Sequence, residues 1–246
     1  MSLKFRTNSV IVDAYNKKGV DYAISLAKGI LSSSELRSKE SGVTDVIGEL
    51  AETVLEIMVK DYITKNSLKD WFYSKGLILK DIETLNKDFL TEIDFTLVTP
   101  QKIFLFECKS YSGDKKLVGK GEIIRKGKRF DAFSQHKLHA EVFMKTFDAF
   151  RLYPGNWMSA YKLALFDFSE GTLVDERESV WKRIFPIVTV ETLYDFLKHN
   201  TVGRVIWNIP YVRKGVSLIE AKRDTYRDRH INFVKSFISK RQGNGG

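Results

Sequence analysis

The chain has 246 residues, of which 43% are hydrophobic and 13% aromatic, so it can bury a full core without covalent or metal staples. Its single cysteine excludes an internal disulfide and a cysteine-based zinc cluster, and no apolar run approaches the roughly 18 residues of a membrane helix. The net charge of +9 is concentrated in residues 109–129, with eight Lys or Arg against two acids, and in residues 211–246, with nine against three, which is typical of proteins that bind a polyanion.

We therefore expect a soluble, cytoplasmic protein with a nucleic-acid partner and no membrane association. The single cysteine gives no sign of an oxidising compartment, and the N-terminus lacks the basic-then-apolar pattern of a signal peptide. Two other interpretations of the charge remain open. The basic segments could be ordinary solvated surface, or they could lie on an anionic membrane, although they lack the long amphipathic face that such binding uses.

Residues 1–43 are predicted to form a helical extension that packs outside the core. Gly19 lies near the start of this segment. The apolar residues that recur at three- and four-residue spacing are Tyr22, Ala23, Leu26, Ala27, Ile30 and Leu31.

A further helix is predicted from Thr44 to Ile63, with an apolar stripe and an acidic face. The apolar stripe consists of Leu50, Val54, Leu55, Met58 and Tyr62, and the acids that project together are Asp45, Glu49, Glu52 and Glu56. A row of acids on a helix is usually solvated. Gly48, however, costs a helix about 1 kcal/mol relative to alanine, which indicates close approach to another element. We therefore select its neighbour Glu49 as a site residue, with Glu52 as the alternative.

Residues 91–109 contain two strand patterns joined at Pro100. The first alternates apolar and polar residues, and the second is wholly apolar from Ile103 to Phe106, which predicts a strand buried on both faces. An antiparallel hairpin with a four-residue loop would place Asp94 opposite Glu107. Opposed side chains have Cβ atoms roughly 4.5–5.5 Å apart, so the two carboxylates would repel each other unless a cation lay between them.

A hard divalent cation fits this pair of carboxylates. Mg²⁺ is usually held by one or two carboxylates, waters and phosphate oxygens, whereas a Zn²⁺ site would require His or Cys ligands. We expect Mg²⁺, with Mn²⁺ as a substitute, bound by Asp94 and Glu107. Lys109 lies on the same face as Glu107 and would hold an attacking water or stabilise developing charge. The alternative is a surface ion pair between Glu107 and Lys109, with Asp94 at a turn.

The segment after the hairpin, residues 110–129, forms what we call the basic arm. A basic arm with several glycines beside the site is predicted to follow a phosphate backbone. Its expected nucleic-acid contacts are Lys115, Lys116, Lys120, Arg125, Lys126, Lys128 and Arg129. Ile123 and Ile124 predict a short strand within it.

Residues 130–150 are predicted to form a helix with the following residues toward the core: Phe133, Leu138, Val142, Phe143, Phe147 and Phe150. Gln135 and His139 lie one turn apart on its polar side. His136 and His139 have a spacing that could hold a metal, but the sequence offers no third nitrogen or sulfur ligand, so we expect a solvated pair.

Strands are then predicted at Tyr161–Phe168 and Ile184–Val190, where Pro186 indicates an edge or a bulge. A short helix follows at Glu191–Lys198. Residues 203–246 are predicted to be a basic, mainly helical extension. Its apolar stripe consists of Ile231, Val234, Phe237 and Ile238. The stripe could pack back on the domain or against a second copy, so a homodimer remains possible.

The motifs resemble, in order and spacing, the PD-(D/E)XK nuclease superfamily and, more narrowly, the nuclease-related (NERD) domain. The resemblance covers roughly residues 45–195. It lies in Gly48-Glu49 on an upstream helix, Glu92-Ile93-Asp94, Phe106-Glu107-Cys108-Lys109 followed by Gly113, and Gln135 on a downstream helix. It implies Glu49, Asp94 and Glu107 as metal-site acids, Lys109 as the catalytic lysine and Gln135 as an auxiliary catalytic residue. Cys108 departs from the family pattern, which has an aliphatic residue there.

We therefore predict an α/β fold with a short mixed central sheet flanked by helices. A nuclease-like domain at residues 44–202 would lie between helical N- and C-terminal extensions. The predicted function is Mg²⁺-dependent hydrolysis of nucleic-acid phosphodiesters, with DNA as the expected substrate. The alternatives are a non-catalytic nucleic-acid-binding module with the same fold, and a protein-interaction domain in which the Glu-x-Lys motif is incidental.

Overall fold

The elements of this chain are taken from a computed structural model that describes residues 3–33, 43–80, 90–111, 113–149, 160–222 and 225–232. Up to the end of the central hairpin, the elements are α1 (Leu3–Lys18), α2 (Val20–Ser32), α3 (Val43–Lys65), β1 (Phe72–Lys80), β2 (Leu90–Val98) and β3 (Ile103–Lys109). The elements that follow are β4 (Lys115–Val118), β5 (Glu122–Arg125), β6 (Lys128–Asp131), α4 (Ala132–Ala149), β7 (Tyr161–Asp167), β8 (Leu173–Asp175), α5 (Ser179–Ile184), β9 (Ile187–Val188), α6 (Leu193–Asn200) and α7 (Ile209–Glu220). Residues 225–232 are also helical.

The main sheet has five strands in the order β1-β2-β3-β7-β9. The β1–β2 and β2–β3 pairs are antiparallel, whereas β3–β7 and β7–β9 are parallel, so the sheet is mixed as predicted. β3 occupies the centre, and its residues Ile103 to Phe106 are fully buried, which matches their unbroken apolar sequence. The predicted α/β class is confirmed.

The register of the central hairpin follows the prediction. Phe95 pairs with Phe106 and Val98 pairs with Ile103, which is the register that sets Asp94 against Glu107. The four-residue loop is closed by the Thr99 amide, which donates to the Lys102 carbonyl at 2.9 Å.

Helices cover both faces of the main sheet. On one face, α1, α2, α3 and α6 share a core with Phe95 and Phe106, and on the other, α4 and α7 share a core with Leu105. The expectation that the N-terminal helical segment packs outside the core is wrong. Ile11, Ala23 and Ala27 are fully buried because small and apolar residues let α1 and α2 pack closely against α3.

Two helices replace the single N-terminal helix that the sequence predicts. Gly19 separates them with a φ of 88°, in the left-handed region that glycine adopts without the steric cost of a Cβ atom.

The basic arm contributes β4, β5 and the start of β6 to a second, four-stranded sheet of order β6-β5-β4-β8, whose fourth strand comes from residues 173–175. Of its strands, the sequence predicted only the one at Ile123. The inner face of this sheet is small, with Leu117 and Ile123 packed near Phe185. The charged residues that alternate with these positions conceal the strand pattern, since a basic segment with four glycines is typical of a loop.

Three other predictions need correction. α4 begins at Ala132 because Phe130 belongs to β6, and Leu138 is 41% exposed because it lies opposite the buried face of α4. The strand predicted over residues 184–190 is only the two-residue β9, at the sheet edge that Pro186 indicated, because residue 184 ends α5. The side chain of Phe147 and the whole of Phe150 lie outside the described part.

The C-terminal extension packs back on the main sheet as far as the structure describes it. Val212 and Val216 of α7 are buried beside β1, and the Arg213 guanidinium lies 4.2 Å from the centre of the Phe72 ring. The outer part of the predicted apolar stripe, after residue 232, lies outside the described residues. The domain boundaries and the homodimer therefore stay predictions. Among the described helices, none is long and apolar enough to cross a membrane.

Candidate active site at the end of the central hairpin

Asp94, Glu107 and Lys109 come together where β3 leaves the core. One Asp94 oxygen, Oδ2, accepts the backbone N–H of Cys108 at 2.7 Å, and Lys109 Nζ lies 2.5 Å from Glu107 Oε1. Glu107 is only 1% exposed, so the Glu107–Lys109 contact is not the surface ion pair of the alternative interpretation. The strand alternation holds both side chains on one face, while the Cys108 side chain joins the core on the other.

The two carboxylates have opposite electrostatic behaviour. Burial raises the pKa of Asp94 well above its ordinary value, and the neighbouring carboxylates of Glu107 and Glu52 raise it further. Burial alone would also raise the pKa of Glu107. There the positive charge of Lys109 is the main influence that opposes burial, and the pKa of Glu107 lies well below its ordinary value. The ionised form is therefore favoured at Glu107 and disfavoured at Asp94.

Lys109 keeps its charge in this setting. Burial lowers the pKa of Lys109, but the carboxylates of Glu107 and Asp94 more than compensate and raise it above the ordinary value. Its side chain is 18% exposed, and its ammonium lies 5.4 Å from the centre of the Phe130 ring. A lysine that stays protonated cannot act as a general base, so its chemistry here is that of a fixed positive charge.

The solvated histidine pair expected on α4 is wrong. His136 is fully buried, and its Nδ1 lies 3.4 Å from Glu107 Oε2. His139 Nδ1 lies 3.5 Å from the same oxygen, with 13% of its side chain exposed. The sequence shows no third nitrogen or sulfur ligand for this pair, and the partner that the fold supplies is the Glu107 carboxylate.

His136, which was predicted to be solvated, lies on the buried face of α4. Ala132, His136, Ala140 and Phe143 follow one another at four, four and three residues and are all buried against the sheets. Alanines four residues before and four residues after His136 let the helix approach the sheets closely. This spacing in the sequence indicates that His136 is buried.

The remaining predicted site residues lie on the two flanking helices. Gln135 on α4 has a buried Oε1 atom with no hydrogen-bond partner within the described part of the chain. On α3, Glu49 Oε2 accepts a hydrogen bond from Asn8 Nδ2 at 2.7 Å. The α3 acid whose charge raises the pKa of Asp94 is Glu52, one turn further along and named above as the alternative.

The seven cations predicted on the basic arm divide into one buried and six more accessible side chains. Lys115 is 3% exposed and faces Asp167 at 3.3 Å, so it lies inside the fold rather than on a binding surface. Lys116, Lys120, Lys126, Lys128 and Arg129 are exposed, and Arg125 is half-buried over the Tyr111 ring. The alternation of β4 explains the difference, since Lys115 and Leu117 point inward and Lys116 points outward.

A comparison with models of protein families gives a match over part of this chain. The model of the nuclease-related domain (NERD) matches residues 51–161, which include Asp94, Glu107, Lys109 and Gln135, while Glu49 precedes the matched segment by two residues. No curated protein and no solved structure matched the chain.

Proposed function

From the match of residues 51–161 to the nuclease-related domain, we propose that the protein is a metal-dependent nuclease that hydrolyses phosphodiester bonds, with DNA as substrate. The observation that carries this proposal is the convergence of Asp94, Glu107 and Lys109 at the end of the central hairpin. Two buried carboxylates and a fixed ammonium are the groups that metal-assisted phosphodiester hydrolysis needs at one point.

The donor set fits Mg²⁺. Carboxylate oxygens are the ligands that hard cations prefer. Burial and then the Glu107 charge disfavour the ionised form of Asp94, and a bound cation would offset both effects. Asp94 and Glu107 would hold Mg²⁺, or Mn²⁺ in its place, with an acid of α3 completing the set directly or through water. When bound, the cation supplies Lewis-acid polarisation of the scissile phosphate and lowers the pKa of a bound water.

The side chains of the site divide the remaining work. The Cys108 amide fixes one oxygen of Asp94, which leaves the other oxygen for the cation. Lys109 keeps its positive charge beside Glu107 and would orient the attacking water or stabilise the charge that develops on the phosphate. Gln135, with its orphaned amide oxygen, would be an auxiliary residue of this site.

The basic arm would hold the substrate. Lys120 and Lys128 are exposed, and Phe130, two residues after Lys128, is 39% exposed with its ring centre 5.4 Å from the Lys109 ammonium. Phosphates are neutralised by such cations without regard to sequence, and a ring can stack on an unpaired base.

The proposed activity is tested by incubating the purified protein with supercoiled, linear, nicked and single-stranded DNA. We expect cleavage of at least one substrate in Mg²⁺ and in Mn²⁺, and none in chelator. Asp94→Asn, purified identically, should not cleave, because the amide keeps an oxygen for the Cys108 N–H but loses the charge that holds the cation. Cleavage by this variant would indicate a contaminating nuclease. Metal-independent binding without cleavage of any substrate would instead support the non-catalytic module.

The role of the basic arm is tested by the salt dependence of DNA binding. Each duplex phosphate contact contributes about −0.9 to the slope of log affinity against log salt. Replacing both Lys120 and Lys128 by Gln should therefore make the slope less negative by roughly 2, since both lysines are exposed. Fluorescence anisotropy of labelled duplex between low and moderate salt measures it.

The matched control for the arm is the Lys17→Gln, Lys18→Gln double variant. It removes the same charge from two exposed lysines at the end of α1 and should leave the slope unchanged. Equal slopes for wild type and the arm variant would remove Lys120 and Lys128 from the binding surface.

A further inference from the structure

Three buried polar atoms meet beside the proposed nuclease site without a hydrogen-bond partner in the described structure. They are Glu107 Oε2, His136 Nδ1 and His139 Nδ1, and the ligand atoms of these residues all lie within 4.8 Å of one another. A buried polar group without a hydrogen-bond partner destabilises the folded protein. Three such atoms that face each other indicate a bound partner that is not part of the chain.

The hydrogen bond made by His136 Nε2 determines the tautomer of this residue. His136 Nε2 lies 2.8 Å from the Leu105 carbonyl oxygen, which can only accept, so Nε2 carries the proton. In the neutral imidazole, Nδ1 is then a bare lone pair that faces a carboxylate oxygen at 3.4 Å. Two electron-pair donors that face each other repel unless a metal ion or a proton lies between them.

The distances fit a metal ion. His136 Nδ1 and His139 Nδ1 lie 3.4 and 3.5 Å from Glu107 Oε2. Tetrahedral ligands with bonds of about 2.0–2.2 Å are separated from one another by roughly 3.3–3.6 Å, because the edge of a tetrahedron is about 1.6 times the bond length.

The surroundings also match those of ligating side chains. A metal-bound histidine usually donates its other ring N–H to a carbonyl or carboxylate, as His136 does to Leu105. A ligating carboxylate is usually held by a second partner, as Glu107 Oε1 is by Lys109 at 2.5 Å. His139, with 13% of its side chain exposed, gives an ion a path from solvent.

We propose that Glu107, His136 and His139 form a binding site for a divalent transition-metal ion of the Zn²⁺ class. Two imidazoles and one carboxylate suit Zn²⁺ and its neighbours, whereas Mg²⁺ prefers oxygen ligands throughout. The site shares Glu107 with the proposed nuclease site and uses its other oxygen. It does not rest on cleavage, because the three side chains can bind a metal whether or not the protein is a nuclease.

The probe is Co²⁺, which replaces Zn²⁺ and absorbs visible light when it is bound. Titration of metal-free protein with Co²⁺ should give ligand-field absorption that saturates at one ion per chain and is displaced by Zn²⁺. His139→Gln should weaken Co²⁺ binding by about 100-fold or more, since loss of even an outer-shell partner commonly costs 10- to 100-fold. His139 is preferred to the fully buried His136 because its replacement perturbs the core less.

Two matched variants show whether the effect belongs to this cluster. His199→Gln removes an exposed histidine of α6 that bonds its own helix, and it should bind Co²⁺ like wild type. Asp94→Asn should also retain Co²⁺ binding while losing cleavage, so the metal site and the proposed activity can fail separately.

Zinc K-edge absorption of the wild-type protein gives a readout that needs no substitution, and it should show imidazole ligands. The proposal is overturned if wild-type protein binds no Co²⁺, which would leave Glu107 and His136 as a proton-bridged ion pair. It is also overturned if His139→Gln binds Co²⁺ as tightly as wild type does.

Discussion

Lys109→Met should lower the rate of DNA cleavage by about 10²–10³-fold, the usual loss when one charge-stabilising group leaves a preorganised site. Lys109 stays protonated beside Glu107 and Asp94, so its ammonium acts by charge and not by accepting a proton. Methionine keeps the apolar stem that follows the strand. Affinity for DNA should change little, because the substitution removes one cation from a surface that carries several.

Single-turnover cleavage measured beside equilibrium DNA binding separates the two effects. The control is Lys116→Met on the basic arm, where the exposed Lys116 pairs with Glu176 at 2.8 Å and should not act on the reacting phosphate. A Lys109→Met protein that cleaves at a near-normal rate would refute the role given to this lysine. Equal losses of affinity and rate would make it a phosphate contact only.

Phe106→Ala should lower the free energy of unfolding by about 3–5 kcal/mol, the usual cost of truncating a buried phenylalanine. Phe106 is fully buried in the central strand, and its ring centre lies 6.1–6.2 Å from those of Phe95, Phe104 and Phe196. Removing the ring leaves a cavity between the sheet and α6 that the packed neighbours cannot fill. Its backbone neighbour is Glu107, so the same loss should loosen the proposed active site.

Thermal unfolding followed by circular dichroism measures this cost. At roughly 2–4 °C per kcal/mol for a chain of this size, Tm should fall by about 6 °C or more. The control is Tyr211→Ala, an aromatic truncation at a residue that is 65% exposed, which should stay within about 0.5 kcal/mol of wild type. A Phe106→Ala protein as stable as this control would contradict the packing described for β3.

The central hairpin could be predicted in detail because the residue pattern that determines it lies within one short segment of the chain. The alternation before Pro100 and the apolar run after it identify two strands, and a four-residue loop then determines which residues are opposed. The position of Asp94 near Glu107 follows from that register alone. The charge of Lys109 and its contact with Glu107 follow from two-residue spacing on one strand.

The histidine cluster could not be predicted in the same way, because its ligands meet only through tertiary packing. Glu107 and His136 are 29 positions apart, and strands β4, β5 and β6 of the second sheet lie between them in the chain. The burial of Lys115 has a similar origin. Its partner Asp167 lies on β7, and no local pattern connects a lysine of the basic arm to that strand.

The packing of Cys108 has a consequence for chemical labelling. Its backbone N–H donates a hydrogen bond to Asp94, whereas its thiol faces the core. Burial there raises the pKa of the Cys108 thiol well above the ordinary value, so little of the reactive thiolate is present. Because this is the single cysteine of the chain, a cysteine introduced at an exposed position would be the thiol that reacts first in the folded protein. Modification of Cys108 itself would require the central strands to separate, so its rate would report the opening of the sheet that carries the proposed active site.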